Sequence, residues 1–148
     1  MKILALDLGD RWVGSAISDP LGITCKPYKT IDIEQLNQFL TSTLSAEEIA
    51  TVVVGNPQTV STGGQSDQTK KIVALKEELE TKFSHRSEPH GSERDIAWVL
   101  WDERLSSKRA DLLKGKQAHT PEGKKQQHSI AAAFILQSYL DYQAFKAS

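Results

Sequence analysis

Apolar and polar positions divide the 148-residue chain into three short strands followed by alternating helices and strands. Lys2 to Leu8 is an apolar run holding a single carboxylate, Asp7, near its end, and Gly9 with Asp10 and Arg11 closes it. A run this short predicts a buried strand rather than a helix. Trp12 to Ser18 alternates larger apolar with small residues, which predicts a second strand antiparallel to the first across a tight turn. Asp19-Pro20-Leu21-Gly22 is a turn signal, and Ile23 to Ile31 predicts a third strand at a sheet edge, where Pro27 is tolerated. Apolar residues at 33, 36, 39 and 40 have helical spacing, with Asp32 available as N-cap.

Ile49 to Val54 is β-branched and apolar nearly throughout, the pattern of a central strand covered on both faces. It ends at Gly55-Asn56-Pro57, and a polar loop runs from Thr59 to Ser66. A helix opening at Ser66-Asp67 carries Ile72, Leu75, Leu79 and Phe83 along one side. Ser84 to Arg94 shows no periodicity and is expected to be a surface linker. Ile96 to Trp101 predicts the fifth strand, terminating in Asp102-Glu103-Arg104. Ser106-Ser107 caps a short helix through Leu113, and a basic loop runs to Gly123. The last helix is expected from about Lys124 to Ala144, packed deeply because Ile130 to Leu136 is apolar on every side.

The element order βββ-α-β-α-β-α predicts a single α/β domain over residues 1–148, a mixed five-stranded sheet flanked by helices. Right-handed crossovers place the later strands parallel to the first, and the crevice of such a sheet lies outside the carboxyl ends of those strands. Asp7 and Glu103 stand at two such ends. A carboxylate inside a buried run is costly unless paired, protonated or bound to a metal. Asp7 therefore either anchors a metal site or caps the turn at Leu8-Gly9. Two carboxylates converging at strand ends suit Mg²⁺ or Mn²⁺, which complete their shell with water and substrate phosphate. The chemistry such a site serves is hydrolysis of a phosphodiester.

Composition narrows the setting. The hydrophobic share of 39% and charged share of 25% are those of a globular protein. No stretch approaches the roughly 20 apolar residues that span a bilayer, and the N-terminus lacks a secretory signal pattern. Cys25 is the single cysteine, so no internal disulfide forms, and a cytoplasmic location is expected. The net charge of −1 does not suggest a uniformly basic nucleic-acid binder. From Arg104 to His128, however, the chain carries seven basic and two acidic residues, a stretch suited to a phosphate backbone or to plain solvation.

Four motifs fall in a specific order: Leu6-Asp7-Leu8-Gly9 with Arg11, Val13-Gly14 and Ser18-Asp19; Val53-Val54-Gly55-Asn56-Pro57 with Gly63-Gly64; Asp102-Glu103-Arg104-Leu105-Ser106-Ser107; and Ala131-Ala132 leading into Ile135-Leu136-Gln137-Ser138-Tyr139-Leu140. Through them nearly the whole chain resembles the YqgF/RuvX family of Holliday-junction resolvases and ribosomal-RNA maturation nucleases, whose fold is RNase H-like. The resemblance implies a nuclease acting on precursor 16S rRNA or branched DNA, with Mg²⁺ or Mn²⁺ as cofactor and ribosomal precursor particles among its partners. It makes Asp7 and Glu103 metal-binding carboxylates, with Asp102 beside the second. Neighbours in a strand face opposite ways, which favours Glu103 over Asp102.

At one position the chain departs from the family pattern: His128 stands where an Asp precedes the Ala-Ala of the last helix. Imidazole can bind a metal or handle a proton, and losing a carboxylate weakens Mg²⁺ binding in favour of softer ions. Asp7, Glu103 and His128 are thus the expected catalytic and metal-binding set. Arg11, Arg104, Lys124 and Lys125 are the expected substrate contacts, Arg104 chiefly because a guanidinium fork matches phosphate oxygens. Gly9 and Gly14 are expected to permit tight turning or close backbone approach. Trp98 and Trp101 are expected in the core. The alternative function is a non-catalytic RNA-binding ribosome-assembly factor on the same fold. An actin-like ATPase, whose first phosphate loop also resembles Asp-Leu-Gly, lacks support because no second such motif follows a strand.

Overall fold

β-branched and leucine-rich runs flanked by turn residues assemble the core sheet. The computed structural model describes residues 1–56, 67–102 and 121–147. Among these, β1 (Lys2–Leu8), β2 (Trp12–Ser18) and β3 (Cys25–Asp32) form the expected antiparallel meander. A 3₁₀ turn (Ile33–Gln35) leads into α1 (Leu36–Ala46), followed by β4 (Ile49–Asn56), α2 (Asp67–Lys82), β5 (His85–Ser87), β6 (Glu93–Asp95), β7 (Ala97–Asp102) and α3 (Pro121–Ala147). The main sheet has the order β3-β2-β1-β4-β7, with β4 parallel to β1 and β7 parallel to β4. This is the mixed five-stranded α/β architecture expected from the sequence. The expected helix at 106–113 and loop at 59–66 lie outside the described residues, as does the expected loop at 114–123 as far as residue 120; its last three residues are instead the start of α3, which opens at Pro121 rather than near Lys124.

Alternation along each strand separates two cores. Leu4, Leu6 and Leu8 of β1 join Val52 and Val54 of β4 and Trp98 of β7 beneath α1 and α2. On the opposite face Ala5, Ala16 and Val53 meet Ala132, Ile135, Leu136 and Leu140 of α3. The sheet side of this second core is built from small residues, so α3 lies close against β1 and β2. Ser15, wholly buried, stitches an irregularity between β2 and β3: its Oγ donates to the Lys29 carbonyl at 2.6 Å and accepts from the Lys29 N–H at 3.0 Å.

Two expectations are corrected. Asp32 caps the 3₁₀ turn, accepting from the Glu34 N–H at 3.0 Å, rather than α1 itself. The 84–94 segment is a two-stranded antiparallel ribbon, β5–β6, rather than a surface linker. Its strands are too short to show periodicity, and a buried charge anchors it. The Arg86 side chain is 2% exposed, donates through Nε to the Ile49 carbonyl at 2.8 Å, and pairs through Nη2 with Glu88 at 3.1 Å. Removing one partner of a buried pair costs about 3 kcal/mol or more. Arg86→Ala is expected to lower the chemical-denaturation midpoint accordingly.

Half-buried Cys25 ties β3 to α3, its Sγ 3.3 Å from the Ala133 carbonyl. Burial, with a smaller contribution from the charge of Asp141, pushes the thiol up to about 11. Thiolate, the reactive form, is then about one part in a thousand at pH 8. Native protein is expected to react with a disulfide reagent about a hundredfold more slowly than the unfolded chain. Because the folded thiol holds its proton above the unfolded value, stability is expected to decline as pH rises from about 9 towards 11.

Candidate active site

Asp7 occupies the next-to-last position of β1, on the face covered by α3. Its antiparallel partner in β2 is Gly14. In β4 the parallel register pairs Leu6 with Val54, and one further step along both strands sets Asp7 beside Gly55. The carboxylate is therefore flanked in the sheet by two residues without side chains. Glycine in a strand marks close approach of another group, and here α3 makes that approach. A Cβ placed on Gly14 would lie 2.0 Å from both the carbonyl carbon and the carbonyl oxygen of His128, and 2.6 Å from the Ser129 nitrogen. The expectation of close backbone approach at Gly14 holds. A Cβ on Gly9 would lie 2.7 Å from the Trp12 carbonyl oxygen and, at 3.6 Å, in ordinary contact with His128 Cε1.

Helical geometry aims His128 at the carboxylate. His128, Ala132, Ile135 and Leu136 recur at spacings of four, three and one along α3, so they share the sheet-facing stripe. Ala132 sits on the small-residue floor of the second core and fixes the helix height. His128 Nδ1 then stands 3.5 Å from Asp7 Oδ2, with side chains 33% and 20% exposed respectively. Both groups are thus rooted in the core and open to solvent at the sheet's carboxyl edge. Two ligands each about 2.1 Å from one cation lie roughly 3.0–3.4 Å apart, so this separation suits a shared divalent ion. With a protonated imidazole the same geometry is an ion pair.

Two residues do not make a full ligand set, and among the described residues no group of three or more His, Cys, Asp or Glu could hold a metal. Glu103 and Arg104 lie outside the described residues. Asp102 ends β7 opposite Asn56 of β4. Trp98 and Leu100 belong to the core beneath α1 and α2, whereas Val99 and Trp101 belong to the one beneath α3. Alternation therefore turns Asp102 away from Asp7. Trp98 is buried as expected; Trp101 is half-buried, stacked edge-on against Tyr139 and donating to Ser138 Oγ at 3.1 Å.

Arg11 is exposed at the β1–β2 turn, its guanidinium 5.0 Å from the Trp12 ring centre. Lys124 and Lys125 fall in the first two turns of α3, their side chains outside the described set. Sequence reasoning did not single out the side chain of Asn56. It is 4% exposed, and its Oδ1 has no hydrogen-bond partner among the described residues. A polar residue closing an otherwise apolar strand, Val52-Val53-Val54-Gly55-Asn56, was the available signal.

The profile of the RuvX Holliday junction resolvase family matches residues 1–142. A protein of Caldicellulosiruptor bescii, provisionally named a pre-16S rRNA nuclease, is 35% identical over 144 residues, covering 96% of this chain and 97% of its own. One of Listeria monocytogenes with the same name is 36% identical over 148 residues, covering 95% and 98%. Among solved structures, fowlpox virus resolvase bound to Holliday junction DNA aligns over 97% of this chain and 99% of its own, at a TM-score of 0.54 and 13% identity. Thermus thermophilus RuvC with a junction substrate aligns over 97% and 96%, at 0.55 and 10%. These structural likenesses show a shared fold.

Proposed function

Because the chain belongs to the RuvX family of Holliday junction resolvases, we propose that it is a divalent-metal-dependent nuclease cleaving phosphodiester bonds of structured nucleic acid. Maturation of the 5′ end of precursor 16S rRNA and resolution of four-way DNA junctions are its candidate reactions. The observation that carries the reading is the meeting of Asp7 and His128 at 3.5 Å on the open carboxyl edge of the sheet. A carboxylate and an imidazole are both ligands for Mn²⁺, and the carboxylate suits Mg²⁺. A bound divalent ion supplies charge stabilisation on the reacting phosphate and an activated water.

The chain's own groups do the rest. Asp7 contributes the fixed negative charge, held in place by strand pairing on both sides of β1. His128 contributes a neutral nitrogen, oriented by the packing of α3. Glu103, which the family resemblance makes the second metal-binding carboxylate, completes the set. Arg11, Arg104, Lys124 and Lys125 hold the backbone of the substrate, with precursor ribosomal particles as the larger partner. No helix among the described residues is long and apolar enough to cross a membrane; we assign the protein to the cytoplasm, where ribosomal precursors are found.

Purified protein incubated with precursor 16S rRNA and with a four-way DNA junction, in Mg²⁺ or Mn²⁺, is expected to cleave at least one, and excess chelator to stop it. Binding without cleavage under every metal condition would instead establish the non-catalytic assembly factor.

A further inference from the structure

We propose that a cavity beneath the β1–β2 turn is a nucleobase subsite, so that the substrate presents an unpaired nucleotide beside the phosphate that a divalent ion at Asp7 would hold. This rests on the nuclease reading and names the substrate feature it selects. Leu8, Ile33, Ile72 and Leu75 form the apolar walls of the cavity, and its volume is about 180 Å³. At roughly 30 Å³ per water this is space for about six waters, below the roughly 300–1,000 Å³ of sites for larger ligands. Its size is that of one heterocycle rather than a whole nucleotide.

Position decides the occupant. Asp7 and Leu8 are successive residues of β1, their Cα atoms about 3.8 Å apart, and they face opposite sides of the sheet. A strand of nucleic acid crossing the carboxyl edge therefore meets the carboxylate on one side and the cavity on the other. Its phosphate goes to the divalent ion that Asp7 would hold, and its neighbouring base goes to the apolar walls. Charge at the rim orients that crossing. Lys71 of α2 and Asp10 of the turn both line the mouth, both are exposed, and neither forms an ion pair among the described residues. Asp10 repels a phosphate, which leaves the Lys71 side as the path for the backbone. A base stacked and paired inside a duplex cannot enter such a cavity without leaving the stack, and a base at a branch point or in a single-stranded leader already has. The subsite thus selects branched or single-stranded positions for cleavage.

The test measures binding of the full chain with Ca²⁺ in place of Mg²⁺ or Mn²⁺, an oxygen-seeking ion that fills a carboxylate site, under conditions where no cleavage is detected. The probes are a forked duplex carrying 2-aminopurine at its first unpaired position and a fully paired duplex of the same sequence. Wild type is expected to bind the fork about tenfold more tightly and to change the 2-aminopurine emission. Leu75→Trp, which fills the cavity from a half-buried position, is expected to bring the two affinities together. Lys71→Ala is expected to reduce the slope of log affinity against log salt by about one. Equal affinities for fork and duplex in wild type, or binding with no change in emission, overturn the subsite and leave the nuclease reading standing. The emission result requires no variant and stands even where Leu75→Trp fails to fold. Absence of binding to either probe overturns both.

Discussion

Gly14→Ala is expected to lose both the fold's stability and the site. The added methyl would overlap the backbone of His128 and Ser129, with contacts at 2.0 and 2.6 Å. Backbone cannot rotate aside as a side chain can, so α3 must lift from β2 or the helix must distort. Overpacking of a core by one methylene costs about 1–3 kcal/mol, and a clash with backbone belongs at the top of that range or above it. For a chain of 148 residues, about 3 kcal/mol corresponds to roughly 10 °C in Tm. Lifting α3 also carries His128 away from Asp7. Thermal melting and metal-dependent cleavage should therefore fall together.

Gly91 provides the contrast: it has φ of +85°, but a methyl added there would meet nothing within 4 Å. Gly91→Ala is expected to cost only about 1 kcal/mol of backbone strain and to leave cleavage unchanged. A Gly14→Ala protein that melts and cleaves like wild type would mean that α3 does not rest on β2 as described.

The sequence carried this arrangement unevenly. Strands β1, β2 and β4 were legible because burial on one or both faces writes directly into apolar patterning. The convergence of Asp7 and His128 was legible only in part. The helical stripe of His128, Ala132, Ile135 and Leu136 is periodic, but its height above the sheet depends on Ala5 lying opposite Ala16 and Gly14 opposite Asp7, a fact of register. The β5–β6 ribbon was illegible because three-residue strands show no period, and because its anchor, Arg86, is a residue type that usually signals surface. The end of α1 was equally hidden. Glu48 adopts φ of +53° there, a conformation for which glycine is the common signal. Asn56, buried at a strand end with an oxygen unpartnered among the described residues, is a position that packing alone does not explain.

Charge, rather than shape, separates the roles of the two residues at the site, and a substitution series resolves them. Asp7→Asn keeps the volume and removes the negative charge from a position one-fifth exposed. Cleavage is expected to fall on the order of a thousandfold or more, because the group that neutralises the metal is gone while the fold remains. His128→Ala removes a neutral ligand and is expected to weaken metal binding by at least the roughly 10–100-fold that loss of a residue supporting a ligand costs, with cleavage partly recovered at high Mn²⁺.

His128→Asp should act in the opposite direction. It places a second carboxylate about where the imidazole now stands, raising the affinity for Mg²⁺ and reducing any preference for Mn²⁺. In the absence of metal the same change sets two like charges side by side, so the apoprotein should melt lower and regain the loss when Mg²⁺ is added. Calorimetric titration of each variant with Mg²⁺ and Mn²⁺, beside cleavage at limiting metal, reads these effects separately. Should Asp7→Asn bind Mn²⁺ and cleave as wild type does, the carboxyl edge of β1 would not be the place where the phosphodiester is broken.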